Sequence, residues 1–153
     1  MRLFEITTTD PPDTAKFRRW FGQSKVVDQR GNPLLVYHGT KKRFTEFDPA
    51  KIKSGVGFWF TSNEAEATGH SQGINSRGQT VRGRVIKAYL SLQNPAMDVE
   101  EHQRGTDSNR RPYDGYIHLD TGLYVAYRPE QIWVVGTEEA NPAYLARVWS
   151  NHR

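Results

Sequence analysis

The stretch Pro33 to Thr61, PLLVYHGTKKRFTEFDPAKIKSGVGFWFT, holds two apolar runs separated by a polar connection. The first run ends in His38-Gly39-Thr40, and the second, Gly57 to Phe60, is approached through Gly55 and closes on Thr61. Runs this short, rich in aliphatic and aromatic residues and bounded by Gly, Asp and Pro, predict strands. Two strands that each end in chemically capable residues predict the two walls of a cleft. Between them, Phe44 and Phe47 are apolar anchors and Asp48-Pro49 is a turn or helix start, so Lys41 to Lys53 reads as an ordered loop.

Working outward toward the N-terminus, Lys25 to Asp28 and Pro33 to His38 flank Gln29-Arg30-Gly31-Asn32, the signal of a hairpin. Thr14 caps a short helix, Ala15 to Phe21, with Phe17, Trp20 and Phe21 on one face, and Gly22 ends it. Lys16, Arg18 and Arg19 lie mostly off that face and read as solvated. Residues 1–13 end in Thr-Asp-Pro-Pro-Asp and predict an arm or a short edge strand.

Working outward toward the C-terminus, Ser62 or Asn63 caps a helix through Glu64 toward His70. Ser71 to Gly83 lacks periodicity and predicts no regular structure. Arg84 to Leu92 alternates cleanly and predicts a strand, which Asn94-Pro95 stops. Val99 to Pro112 reads as a polar, Arg-containing loop. Tyr116 to Leu119 and Leu123 to Tyr127 flank Asp120-Thr121-Gly122 in a second hairpin, and Gln131 to Val135 resumes after Pro129. Asn141-Pro142 opens a C-terminal helix to about residue 151, amphipathic through Tyr144, Leu145, Val148 and Trp149. Strands outnumber helices and do not alternate with them, which predicts an α+β fold. At 153 residues the chain predicts a single domain over residues 14–153.

Composition narrows the chemistry. No cysteine is present, which removes disulfides, thiolate nucleophiles and Cys-based metal sites together. The five histidines lack paired spacing and the carboxylates are scattered, so no metal site is expected. The glycines before Gly57 lead into a strand and not a helix, unlike a phosphate-cradling loop. No serine sits on a strand-to-helix elbow. A net charge of +4 suits an anionic ligand or nucleic acid. With no long apolar run and no basic-then-apolar leader, the protein is expected to be soluble and cytoplasmic.

What remains is a strand-terminal histidine, a strand-borne tryptophan between aromatics, and an arginine-rich surround. In order, Val36-Tyr37-His38-Gly39-Thr40, Gly57-Phe58-Trp59-Phe60-Thr61-Ser62, Ala88-Tyr89-Leu90-Ser91-Leu92-Gln93-Asn94-Pro95 and Tyr124-Val125-Ala126-Tyr127-Arg128-Pro129-Glu130-Gln131-Ile132 make a set of landmarks. The chain thereby resembles ADP-ribosyltransferases of the diphtheria-toxin and poly(ADP-ribose)-polymerase type, above all the small domains of that fold in phage and mobile-element proteins. The resemblance covers about Phe17 to Gly136. It implies split antiparallel sheets forming an NAD-binding cleft with a few flanking helices.

The resemblance also assigns roles. His38 matches the histidine that bonds the NAD ribose hydroxyl, and Gly39 the residue whose backbone holds the nicotinamide carboxamide. Trp59 stands where the family has a stacking Tyr, and an indole stacks at least as well. Thr40, Gly57, Phe60 and Thr61 flank these positions. On the following helix Ala67 or Thr68 takes the place of a small hydroxyl residue and His70 that of a second stacking ring. Leu123 occupies the position of the catalytic Glu, with Asp120 or Glu130 as substitute carboxylates. The implied activity is mono-ADP-ribosyl transfer from NAD, as co-substrate and without a metal, to a protein or nucleic-acid acceptor, in the manner of a toxin or effector acting in a bacterial host cell. An NAD glycohydrolase and a silent NAD or nucleic-acid binding module are the alternatives. Lys41, Lys42, Arg43, Lys51 and Lys53 flank the cleft, while Arg104, Arg110 and Arg111 occupy an acceptor-facing loop.

Overall fold

The computed structural model describes residues 11–40, 47, 57–74, 76–106 and 113–142. All but the last three residues of the expected arm, most of the 41–56 connection with its five basic residues, Arg110 and Arg111, and the expected C-terminal helix beyond Pro142 lie outside the described residues, as does the side chain of Arg104.

The elements are α1 (Ala15–Phe21), β1 (Val36–Thr40), β2 (Phe58–Thr61), α2 (Glu64–His70), β3 (Gln72–Ile74), β4 (Thr80–Arg82), β5 (Arg84–Leu90), α3 (Val99–Thr106), β6 (Gly115–His118), β7 (Leu123–Ala126) and β8 (Ile132–Val134). Six strands form one antiparallel sheet in the order β6-β7-β2-β1-β5-β8, and β3 pairs with β4 separately. The α+β expectation therefore stands. So does the split. β1 meets β5 through five register pairs, Val36↔Ala88 to Thr40↔Arg84, but meets β2 through Tyr37↔Thr61 alone. Past that pair, His38 to Thr40 and Phe58 to Phe60 separate, and the sheet divides into two three-stranded halves.

The pleat sends alternate side chains to opposite faces, and the sequence exploits this. One face carries Val36, Phe58, Phe60, Ile86, Ala88, Leu90, Ile117, Tyr124 and Ala126, contributed by both halves, in the main core with Phe47. Each valine, leucine, isoleucine or phenylalanine among them, fully buried, contributes roughly 1.5–3 kcal/mol, so this cluster is the chief driving force joining the halves. The helices work on the opposite face. α1 packs Phe17 and Phe21 on Tyr89 and Trp133. Near β6 and β7, Ala96, Tyr116, Val125 and Tyr127 form a third cluster beside which His102 of α3 is buried. The α1 boundaries match expectation for the expected reason: Thr14 Oγ1 accepts from the Phe17 amide and Gly22 closes the helix.

Two readings are corrected. Ser71 to Gly83 is a hairpin, with Gln72↔Arg82, Gly73↔Val81 and Ile74↔Thr80 in register and the Gly83 amide bonded to the Ser71 carbonyl. Its strands pair through the backbone and Ile74 is exposed, so no apolar alternation marks it. Val99 to Thr106 is a helix and not a loop. Asp98 caps it through the Glu101 amide at 2.8 Å, yet His102 is its only fully buried residue among those whose burial is described, which leaves no apolar period to read. The predicted first hairpin is present in short form: the bridge Val27↔Pro33 is flanked by the Asp28 amide bonded to the Asn32 carbonyl at 2.8 Å and the Leu34 amide bonded to the Val26 carbonyl at 3.0 Å.

Two buried polar side chains lock the scaffold. Gln131 donates to the carbonyls of Ser91 and Asp114 and accepts from the Arg128 amide, tying the end of β5 to the entry of β6. Ser24 Oγ donates to the Leu90 carbonyl at 2.7 Å and accepts from the Leu92 and Val26 amides. Ser24→Ala strands those buried backbone groups, at a cost of about 2 kcal/mol. For a chain of this size that corresponds to a melting temperature lower by about 4–8 °C, checked by calorimetry. An unchanged Tm would show that water replaces the hydroxyl.

No helix among the described residues is long and apolar enough to cross a membrane.

Candidate active site

The point where β1 and β2 part brings together His38, Gly39 and Trp59. A side chain replaces the missing ladder bonds there: His38 Nδ1–H donates to the Trp59 carbonyl at 2.6 Å. Because a carbonyl only accepts, the proton sits on Nδ1, and in the neutral ring Nε2 is the acceptor nitrogen. Burial pushes the His38 pKa below its ordinary 6.5, as does the charge of nearby His70, and the Trp59 carbonyl opposes them only in part. At pH 7 the ring is therefore neutral and able to accept a hydroxyl proton at Nε2.

The ring is held from behind. Phe47 meets it edge-on at 5.3 Å between centroids and Phe60 lies at 5.4 Å. Phe47 is itself pinned by Asn141, whose amide oxygen accepts from the Phe47 amide at 3.1 Å and whose nitrogen donates to its carbonyl at 2.9 Å. His38 thus packs on the core side of the sheet.

Trp59 leaves β2 on the other side. Its neighbours Phe58 and Phe60 are buried, whereas Trp59 is 41% exposed, an unusual state for an indole on a central strand and one that leaves ring surface for a ligand. Cross-strand partners share a face, so register defines what surrounds it. One row across the sheet runs Tyr37, Thr61, Leu123, His118, and the next runs Trp59, Val125, Tyr116. Extended to β1, the second row reaches Gly39, across the gap from Trp59. Over Gly39 lies α2, so close that the backbone of Ala67 fills the space a Cβ would need. Gly57, at φ 112°, packs on β7 in the same manner, with the Ala126 carbonyl where its side chain would start.

The remaining expected residues fall as follows. Thr61 is buried and its hydroxyl accepts from the Asn63 amide, while Asn63 caps α2. Ala67 is buried, and Thr68 directs its hydroxyl to the Glu64 carbonyl at 3.0 Å. His70 ends α2, near enough to disfavour a charge on His38. Leu123 is half-buried between Thr61 and His118. Asp120 is exposed in the β6–β7 turn. Glu130 lies at the other end of β7, where its carbonyl accepts from Trp20 of α1.

Two residues that the sequence motifs do not single out stand beside these. His102, only 5% exposed, meets the Trp59 ring edge-on at 6.4 Å, stacks on Tyr116 at 4.4 Å and shares a 2.6 Å hydrogen bond with the Tyr127 hydroxyl. His118 faces Leu123 directly across the hairpin. Counting back across Asp120-Thr121-Gly122 finds the second; nothing local marks the first.

A divided antiparallel sheet with His38 and Trp59 joined across the division agrees with the α+β architecture that the resemblance implied. A family model described as ADP-ribosyltransferase in polyvalent proteins matches residues 28–119, more than half of the chain and all of the β1–β2 split. The chain belongs to this family. Comparison with curated proteins and with solved structures gave no match.

Proposed function

We propose that the protein moves a single ADP-ribose unit from NAD to a macromolecular acceptor, protein or nucleic acid, with residues 14–153 acting as one domain. The observation that carries this reading is the β1–β2 split bridged by His38 and Trp59 in a member of an ADP-ribosyltransferase family. Nicotinamide stacks on the exposed Trp59 indole, the Gly39 backbone holds its carboxamide, and His38 Nε2 accepts from the ribose. Thr40, Gly57, Phe60 and Thr61 shape the walls, and Thr68 and His70 close the site from α2.

Cleavage of the bond between nicotinamide and ribose passes through an oxocarbenium-like state. A site that fixes both ends of the nicotinamide riboside lowers that barrier by positioning. Leu123 supplies no carboxylate to stabilise the cation. The absence of a carboxylate at that position costs on the order of a hundredfold, which fits slow single transfer better than polymer growth. The setting this reading favours is the cytoplasm of a bacterial host cell, where such a domain acts as an effector.

The test is incubation of wild type and Trp59→Ala with NAD labelled in the adenosine, plus cell extract. Wild type should label a macromolecule. Trp59→Ala should bind NAD more weakly by about 2 kcal/mol, roughly thirtyfold, as for loss of one base-stacking aromatic. Free ADP-ribose without a labelled macromolecule means a glycohydrolase, and NAD binding without turnover means a silent module. Equal labelling by wild type and variant would remove Trp59 from the site.

A further inference from the structure

We infer that His118 is the general base that deprotonates the acceptor, and that the acceptor group is therefore one with a proton to lose, such as a hydroxyl or a thiol, and not a carboxylate. This rests on the transferase reading above.

The placement follows from register. His118 is the cross-strand partner of Leu123, and Thr61 flanks Leu123 on its other side, so the three form one row on the face that carries Trp59. One row along, the same strands carry Trp59, Val125 and Tyr116, and the Tyr116 and His118 rings lie 6.3 Å apart between centroids. Adjacent antiparallel strands are about 5 Å apart, so His118 sits about 10 Å from the Trp59 strand, the width of one bound group. It is half-exposed, at the rim of the face, and next to exposed Leu119. A macromolecular nucleophile reaching the ribose from the β6 side passes it.

The tautomer suits the task. The Thr121 hydroxyl lies 2.9 Å from His118 Nδ1 and 3.4 Å from the His118 carbonyl; when it donates to that carbonyl, Oγ1 accepts from Nδ1–H. Nε2 is then the basic nitrogen, held in orientation by its own turn. Neither candidate carboxylate matches this. Glu130 is at the far end of β7, and Asp120 is exposed in the turn, outside the row.

The step balances. The C1′–N bond of NAD breaks and its electron pair neutralises the nicotinamide ring. The acceptor oxygen or sulfur bonds C1′, and its proton passes to His118 Nε2, then to water. A carboxylate acceptor, already ionised at pH 7, has no proton for His118 to take.

The experiment compares wild type, His118→Ala and His118→Gln. Nicotinamide release is measured with N-acetylserine methylamide, N-acetylcysteine methylamide or acetate as acceptor, and NAD affinity by calorimetry. Both variants should lose about a hundredfold in rate with the hydroxyl and thiol acceptors, the usual worth of a general base, while NAD affinity stays within about twofold. Imidazole added to the buffer should raise the rate of His118→Ala. Wild-type rates in the variants overturn the inference, as do NAD affinity falling in step with rate, a rate that imidazole leaves unmoved, or acetate serving as the better acceptor. A wild type that neither binds NAD nor releases nicotinamide overturns the transferase reading itself, whatever His118 does.

Discussion

Alanine at position 39 should unseat α2 and abolish the site in one substitution. A Cβ built on Gly39 falls 1.8 Å from the Ala67 carbonyl oxygen and 2.7 Å from its carbon, with the Ser71 amide nitrogen at 3.1 Å. These are backbone atoms, so no rotamer change relieves the overlap. The helix must move by more than an ångström or the strand must leave it. Overpacking of a tight contact costs typically 1–3 kcal/mol, and contact with rigid backbone belongs at or above the top of that range, about 3 kcal/mol or more. In a chain of this length the melting temperature should fall by about 6–12 °C. NAD binding should be lost even well below the new Tm, because Gly39, Thr68 and His70 are displaced together. Calorimetry and titration with NAD read both effects, and a variant that keeps its Tm would disprove the contact.

The second large effect is expected at His38. His38→Ala removes the acceptor nitrogen and takes from the solvent-accessible Trp59 carbonyl its partner across the split, a bond worth about 0.5–1.5 kcal/mol. Turnover should drop by about a hundredfold. The pH dependence separates chemistry from structure. The folded pKa of His38 lies below the unfolded 6.5, chiefly through burial and secondarily through His70. The unfolded chain therefore binds the extra proton first as pH falls. Stability from the neutral ring is fully present above pH 6.5 and is lost as pH falls through the folded pKa. NAD affinity should follow the same course, flat from pH 8 to 6.5 and weakening below, because the protonated ring no longer accepts at Nε2. His38→Gln, which cannot charge, should lose this acid limb. If affinity instead falls between pH 8 and 7, His38 is not the group that sets it.

Much of the candidate site is legible in the sequence. His38 and Trp59 end or interrupt apolar runs bounded by glycines, and such runs declare their strands. The α1 caps are equally plain. Other features have no local signal. α3 turns only His102 fully inward among its residues of described burial, so its periodicity is invisible, and yet this helix brings an imidazole to the Trp59 ring. The clamp of Asn141 on Phe47 joins residues 94 positions apart, and nothing in either neighbourhood names the other. Register lies between these cases. The second hairpin is predicted together with its turn, and the pairing of His118 with Leu123 is implicit in it. Taken as an isolated residue, and not as one member of a row across three strands, Leu123 conceals that neighbour.

The single register pair between the halves of the sheet has a thermodynamic consequence. With one register pair, Tyr37↔Thr61, between β1 and β2 against five between β1 and β5, the strand ladder is thin along the line where the dinucleotide is proposed to bind. A ligand bridging that line adds its binding energy to the joint, by RT ln(1 + [L]/Kd), about 2.7 kcal/mol at a hundredfold excess over Kd. The dinucleotide would then act as a removable structural member as well as a reactant. Slowed amide exchange should be concentrated at His38 to Thr40 and Phe58 to Phe60, and it should vanish as nicotinamide departs and the two halves lose what they shared.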